Sequence, residues 1–255
     1  MRVLKIGGNE LGEPEFVTLL GATVMRLLAE TGSPLVIVHG GGRAIAALQA
    51  KVGLETVKVD GLRVTDLESL NVAQMVLSGQ SNKIVVKALL AAGVDALGVS
   101  GVDGGLLRCR KKEHATADLG YVGEIVNVRR DLLRKLMGID VTVVLSPISL
   151  GLDGMTYNVN ADEAAAAAAL ACAAEELVFV SNVPGVMRDG VVVRSLTVDE
   201  VEEFIAEGTI SGGMIPKVRS ALEAVESGVA RARIVNLVGL LGGGGTTIMA
   251  GDGAN

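Results

Sequence analysis

Aromatic side chains are nearly missing from this chain: they make up 2% of it, with no tryptophan. A stacking platform for single-stranded nucleic acid needs aromatic faces, so that class of function is set aside. Positive charge is scarce as well. The 23 Lys and Arg are outnumbered by 29 Asp and Glu, giving a net charge of −6 and no electrostatic footprint for a duplex. Two cysteines, Cys109 and Cys172, cannot build a disulfide framework or a four-ligand metal site, and read as reduced, buried thiols. Two histidines, His39 and His114, also speak against a zinc enzyme. No apolar run reaches membrane-spanning length, and the start MRVLKIGG lacks the apolar core of a signal peptide. A reducing cytoplasm is the expected compartment.

What the chain has is apolar bulk. Hydrophobic residues make up 49% of 255 positions, enough to bury close to 70% of the extended surface without disulfides or a structural metal. Short β-branched runs alternate with segments of helical period. Residues 3–6, 34–39, 95–100, 141–146, 177–183 and 233–237 read as strands. Residues 13–30, 44–52, 131–136, 162–174, 198–207 and 216–227 read as helices. A longer helix, capped by Thr65 or Asp66, runs to about residue 92 and stops at Gly93. Residues 106–128 break the pattern and read as a hairpin-like excursion around a charged loop at 111–118. Residues 155–159 are strand-like. Asp189 and Gly190 form a hairpin turn between 185–188 and 191–196, and a loop at 242–245 precedes a short strand at 247–249. The alternation predicts an α/β fold with a mainly parallel sheet and helices on both faces. Ligands in such sheets sit at the carboxyl ends of strands, which selects the loops after Ile6, His39, Val159 and Val183.

The unusual residues fall in those loops. Gly7 and Gly8 follow the first strand, and Gly40, Gly41 and Gly42 follow the second. Backbones without Cβ atoms can approach a ligand and aim N–H groups at an anion, although neither turn has Walker or dinucleotide spacing. Lys5 lies inside an apolar strand, where an ammonium is costly unless an anion meets it. The fork of Arg63 suits a carboxylate. Asn158 and Asp162 flank a strand-to-helix junction that Asn160 can cap, with Asp162 in the first turn. Lys217 opposes the dipole at a helix start unless a polyanion is bound there. Two misplaced lysines, backbone-donor turns, an arginine fork and an acid point to phosphoryl transfer, which needs positioning and charge neutralisation above all. A carboxylate acceptor would need no general base, being ionised at neutral pH.

The segments KIGG (5–8), VHGGG (38–42), VDGLRVTD (59–66), MVLSGQSNK (75–83), VSGVDGGLLR (99–108), LGYVGEI (119–125), NVNADEAA (158–165), SNVPGV (181–186) and GGMIPKV (212–218) occur in one order along the chain. In these the sequence resembles the amino acid kinase family, and within it the acetylglutamate kinase branch. The resemblance implies a three-layer αβα sandwich with a mostly parallel central sheet. It implies an N-terminal lobe at 1–175 for the amino-acid substrate and dimerisation, and a C-terminal lobe at 176–255 for ATP. The implied reaction phosphorylates the side-chain carboxylate of N-acetyl-L-glutamate, a step of arginine biosynthesis.

By the same resemblance, Lys5 and Lys217 neutralise the transferring phosphoryl group, Asp162 holds both lysines, and Gly8 and Gly41 donate backbone N–H groups. Arg63 and Asn158 bind the substrate, with Gly41 and Gly42 lining its pocket. Asn182, Val183, Pro184, Gly185, Val186, Met187, Thr209, Ile210, Ser211 and Gly213 surround the nucleotide. Magnesium rides on the ATP phosphates, with no metal site of the protein's own. The chain carries Arg43 where many relatives have proline, and its first strand begins almost at Met1, without the extra N-terminal helix of arginine-inhibited hexamers. A homodimer through the helix at 66–92 is the form implied, with no nucleic-acid or membrane partner. Two other readings stand beside this one. A kinase of carrier-linked aminoadipate or glutamate would use a basic rim such as Arg108, Arg110, Lys111 and Lys112. A non-catalytic metabolite sensor would have no use for Lys5, Asp162 and Lys217.

Overall fold

Alternation of side chains along one strand organises the whole molecule. The computed structural model describes residues 1–249. Residues 250–255, the end of the expected second lobe, lie outside them. In chain order the elements open with β1 (Arg2–Ile6), α1 (Pro14–Thr31), β2 (Leu35–His39), α2 (Gly42–Lys51), β3 (Lys58–Val59), β4 (Leu62–Arg63), α3 (Leu67–Gln74) and α4 (Asn82–Ala91). There follow β5 (Ala96–Ser100), β6 (Leu107–Lys111), β7 (Gly123–Val128), α5 (Arg130–Met137), β8 (Thr142–Ser146), β9 (Ile148–Gly151), β10 (Thr156–Asn158) and α6 (Ala161–Ala171). The rest comprises β11 (Glu176–Ser181), β12 (Met187–Arg188), β13 (Val191–Val192), β14 (Ser195–Thr197), α7 (Val198–Ala206), α8 (Met214–Glu226), β15 (Ala232–Asn236), α9 (Leu237–Leu241) and β16 (Thr246–Met249).

The main sheet has eight strands in the order β14-β16-β15-β11-β1-β2-β8-β5. The six from β15 to β5 are parallel, while β14 and β16 run the other way at one edge. Successive side chains of a strand face opposite sides. Val3 of β1 therefore joins a core with α5, α6, α7 and α8, and Leu4 and Ile6 join a core with α1, α4 and α9. The two cores make the three layers, and each fully buried aliphatic chain in them contributes about 1.5–3 kcal/mol. α6 packs close to the sheet because the chains it buries are alanines: Ala164, Ala165, Ala168 and Ala169. A second, four-stranded sheet, β10-β9-β6-β7, forms from the expected excursion and the strands after β8. The main sheet runs unbroken through both expected lobes, since β1 pairs with β11.

Two local readings change, and one short helix is added. The helix expected from Asp66 to residue 92 is capped as expected, Asp66 accepting from Ser69 N at 2.7 Å. It is then interrupted by a π-helical stretch at Met75–Ser81. Ser78 and Gly79 are poor helix formers, so the regular ladder is weakest here. The wider turn brings Ser78 Oγ to 3.0 Å from Ser146 Oγ at the end of β8, and sets Leu77 against Gly41. Residues 191–196 split between the small hairpin and β14, which crosses to the main sheet. The apolar stretch after β15 winds into the short α9, capped by Asn236 accepting from Gly239 N at 2.8 Å.

At the opposite end of the strands, Glu176 is buried among three arginines. Its carboxylate lies 2.9 Å from Arg233 Nη2 and 3.7 Å from both Arg2 Nε and Arg231 Nε. Removing one partner of a buried ion pair leaves uncompensated charge and costs about 3–5 kcal/mol. Glu176→Ala should lower the unfolding free energy by that amount, read as a fall in the urea midpoint at unchanged m-value; a loss below about 1 kcal/mol would show that water already screens the cluster.

Candidate active site

Lys5 faces the same side as Val3, towards α6, because it is two residues along β1. Its Nζ lies 2.8 Å from Asp162 Oδ1, off the axis of a linear hydrogen bond. Asp162 is presented by the first turn of α6, whose cap is Asn160: the Asn160 Oδ1 accepts from Asp162 N at 2.7 Å. Lys217, in the first turns of α8, does not reach Asp162. It donates to Ser181 Oγ and, at 3.4 Å, to Asn182 Oδ1. This differs from the expected arrangement in which one carboxylate holds both amines. Ser181 is two residues beyond Phe179, the partner of Lys5 in the β1–β11 register, so Lys5 from β1 and Lys217 from α8, held at the end of the neighbouring β11, approach one spot. Lys5, Asp162, Ser181, Gly213 and Lys217 line one cavity of about 210 Å³.

Beside it lies a pocket of about 190 Å³ lined by Gly40, Gly41, Gly42, Arg63, Asn158 and Val159, among others. Arg63 is locked in place. Its Nη1 donates to Gln49 Oε1 at 2.5 Å and Thr56 Oγ1 at 3.0 Å, and its Nη2 to the Gly42 carbonyl at 3.0 Å. Burial pulls its pKa below the usual arginine value. Asn158 ends β10 and donates from Nδ2 to Thr65 Oγ1 at 3.4 Å. It comes from the smaller sheet, so the strand-end rule selects its loop by proximity rather than by membership of the main sheet. The glycines are needed for mutual approach: a Cβ on Gly8 would stand 2.4 Å from Gly41 N, and one on Gly41 2.7 Å from Leu77 Cδ2.

The amino acid kinase family profile matches residues 1–236. The chain belongs to the amino acid kinase family. An acetylglutamate kinase from Roseiflexus castenholzii is 51% identical over 98% of this chain and 95% of its own length. Another, from Chloroflexus aurantiacus strain J-10-fl, is 51% identical over 95% and 94%. Among solved structures, the N-acetylglutamate synthase from Neisseria gonorrhoeae, crystallised with coenzyme A and N-acetyl-glutamate, superposes with a TM-score of 0.83 at 28% identity, covering 97% of this chain and 59% of that one.

Within this amino acid kinase, the residues expected around a nucleotide follow β11 and precede α8. Asn182 and Pro184 are exposed and Val183 half-buried, and Gly213 is the residue before α8. Val186 and Ile210 are buried in the core, with their N–H groups taken by Thr246 Oγ1 and the Phe204 carbonyl. Gly185 is also buried, Met187 is exposed in β12, and Thr209 and Ser211 lie in the turn before α8. Sequence reasoning missed two residues. Glu10 lines the lysine cavity, and Lys58, on the β3–β4 hairpin, lines the glycine pocket. Both sit in polar segments with no period to single them out. The cationic cluster is not a free basic rim. Arg110 pairs with Glu124, Lys111 with Asp118 and Lys112 with Glu163, while Arg108 donates to the Gly151 carbonyl.

Among the described residues no group of three or more His, Cys, Asp or Glu is placed to hold a metal, and no helix is long and apolar enough to cross a membrane. Neither cysteine is a nucleophile: burial pushes the Cys109 thiol up to about 12, aided by Asp153, and raises that of Cys172. Ellman's reagent should therefore release no chromophore from the native protein at pH 8 and two equivalents after unfolding; a fast native equivalent would contradict the burial.

Proposed function

We propose that this protein transfers the γ-phosphoryl group of ATP to the side-chain carboxylate of N-acetyl-L-glutamate, giving ADP and N-acetylglutamyl 5-phosphate, a step of arginine biosynthesis. The observation that carries the reading is the adjacency of two sites: a pocket with a locked guanidinium, a carboxamide and a glycine turn, and a cavity into which two lysines project. The relatives named acetylglutamate kinase support it at about half identity over nearly the whole chain.

In this mechanism Arg63 and Asn158 hold the α-carboxylate side of the amino acid, and Gly41 and Gly42 form the pocket wall. The side-chain carboxylate then points at the cavity of Lys5 and Lys217. Its oxygen attacks phosphorus as the bond to the β-phosphate oxygen breaks. No base is required, because the attacking group is already an anion near neutral pH, with a reference pKa of about 4.3. Charge on the travelling phosphoryl oxygens is met by the amines of Lys5 and Lys217 and by the N–H groups of Gly8 and Gly41. Asp162 keeps the Lys5 amine in place. Ser181 and Asn182 do the same for Lys217, in the role first expected of Asp162. Residues 182–187, 209–211 and Gly213 cradle the nucleotide. Magnesium, carried on the ATP phosphates, supplies further charge neutralisation. The enzyme works in the cytoplasm as a homodimer, for which Leu67, Met75 and Leu90 offer exposed apolar surface along α3 to α4. The paired state of the cationic cluster removes the main support for a carrier-linked substrate.

ATP-dependent hydroxamate formation from N-acetylglutamate and hydroxylamine tests the activity directly. Product only from carrier-bound aminoadipate, or none from any acidic amino acid, would overturn the assignment. Lys217→Ala should lower kcat by on the order of 10³-fold, as loss of a charge-stabilising group does, and an unchanged kcat would remove Lys217 from the mechanism. Arg63→Ala should raise KM for the amino acid at least tenfold more than KM for ATP; the reverse pattern would place the guanidinium on the nucleotide.

A further inference from the structure

The mechanism leaves the buried His39 unused. His39 ends β2, directly before the glycine turn, and is completely buried, as is Asn82 at the start of α4. His39 Nδ1 lies 3.1 Å from the Gly40 carbonyl oxygen, and His39 Nε2 lies 3.3 Å from Asn82 Nδ2. Lys83 Nζ sits 2.8 Å from Asn82 Oδ1 and 3.2 Å from the Gly98 carbonyl. Asn82 Nδ2 also donates to the Val144 carbonyl at 2.9 Å.

This chain of contacts places the proton on the ring. An ammonium can only donate, so the oxygen of Asn82 must be the atom that faces Lys83. The amide nitrogen then faces His39 as a donor only, and within reach of its hydrogens are the Val144 carbonyl at 2.9 Å, the Val99 carbonyl at 3.4 Å and, at 3.3 Å, His39 Nε2. That nitrogen must be an unprotonated acceptor, so the ring hydrogen is on Nδ1, aimed at the Gly40 carbonyl. The amide is packed against the backbone of β5. Gly98 leaves it just enough room, since a Cβ there would stand 1.9 Å from Asn82 Oδ1 and 2.7 Å from Lys83 Nζ. Burial, with a smaller push from Lys83, holds the His39 pKa down to about 4, so the ring stays neutral at working pH.

The peptide between Gly40 and Gly41 is planar and trans, so its C=O and N–H point in opposite directions. A donor that captures the Gly40 oxygen on the His39 side turns the Gly41 N–H to the other side. That side is the space kept open by Gly8, whose missing Cβ would stand 2.4 Å from Gly41 N. We propose that His39 is a positioning residue: held by Lys83 and Asn82 in its Nδ1–H form, it anchors the Gly40 carbonyl and so aims the Gly41 N–H at the phosphoryl group. The kinetic part of this assignment rests on the function proposed above; the proton placement does not.

Long-range proton–nitrogen correlation on histidine-labelled protein tests the placement. The chain has two histidines, so His114→Gln assigns the spectrum. His39 should show a protonated Nδ1 and a bare Nε2, and the opposite tautomer or averaging between the two would overturn the proposal. Asn82→Asp places an acceptor against Nε2 while keeping a partner for Lys83, so the ring should switch to the Nε2–H form. With that switch kcat should fall at least tenfold while KM for both substrates stays within about twofold. A switched tautomer with unchanged kcat would overturn the positioning role. His39→Asn, whose amide can still donate near the Nδ1 position, should keep at least ten times the kcat of His39→Leu; equal loss in both would mean that the ring only fills space. A native protein without turnover would remove the proposed function, and the resonance experiment would still decide the tautomer.

Discussion

A single ion pair, Lys5 with Asp162, ties the centre of the sheet to the helix laid across it. Placing an ammonium near the end of a strand whose neighbours are buried costs several kcal/mol unless a counter-charge meets it. α6 supplies that charge from its first turn, where the carboxylate also favours the helix dipole. The alanines of α6 let the helix lie close enough for the 2.8 Å contact. Bulkier side chains there would lift it from the sheet. The pair thus couples packing of the core to the place where negative charge is to be received.

The amines are held by separate means, which has a consequence for how the cavity responds to a polyanion. Lys5 is tied to a carboxylate and Lys217 to a hydroxyl and a carboxamide. A neutral partner lacks the opposite full charge with which a carboxylate attracts an ammonium. Lys217 is therefore the amine freer to swing onto an incoming phosphate, while Lys5 stays as the fixed positive point. The glycine turns add rigid donors, since backbone N–H groups carry no rotamer entropy to lose. Between the two cavities, the backbones of Gly8 and Gly41 come into close contact.

Much of this was legible in the chain. The central strands were marked by short β-branched runs, α6 by its alanines and the first turn of α3 by Asp66. Lys5 and Lys217 stood out because a cation is disfavoured in the local segment of each, the glycines because they form turns after two successive strands, and Arg63 for a fork that suits a carboxylate. The π-helical turn at Met75–Ser81 was not legible, because Ser78 and Gly79 mark only where the ladder is weak, and the widened turn meets its partner at the end of β8, far away in sequence. α9 was hidden in five apolar residues that fit either a strand or a helix. Glu10 and Lys58 carried no signal at all, since surface carboxylates and amines are common and only their neighbours give them meaning.

The sequence by itself determined the layers, through hydrophobic period, and the kinds of group available, through charge placed where solvation is poor. These are local properties, written in the spacing of side chains along one segment. Only the tertiary structure decided which groups meet. Asp162 takes Lys5 and leaves Lys217 to Ser181 because strand register and helix placement set reach to within an ångström or so, and hydrogen bonds weaken steeply beyond that. The proton on His39 is of the same kind: no residue near it in sequence assigns it, and an amide and an ammonium brought from α4 do.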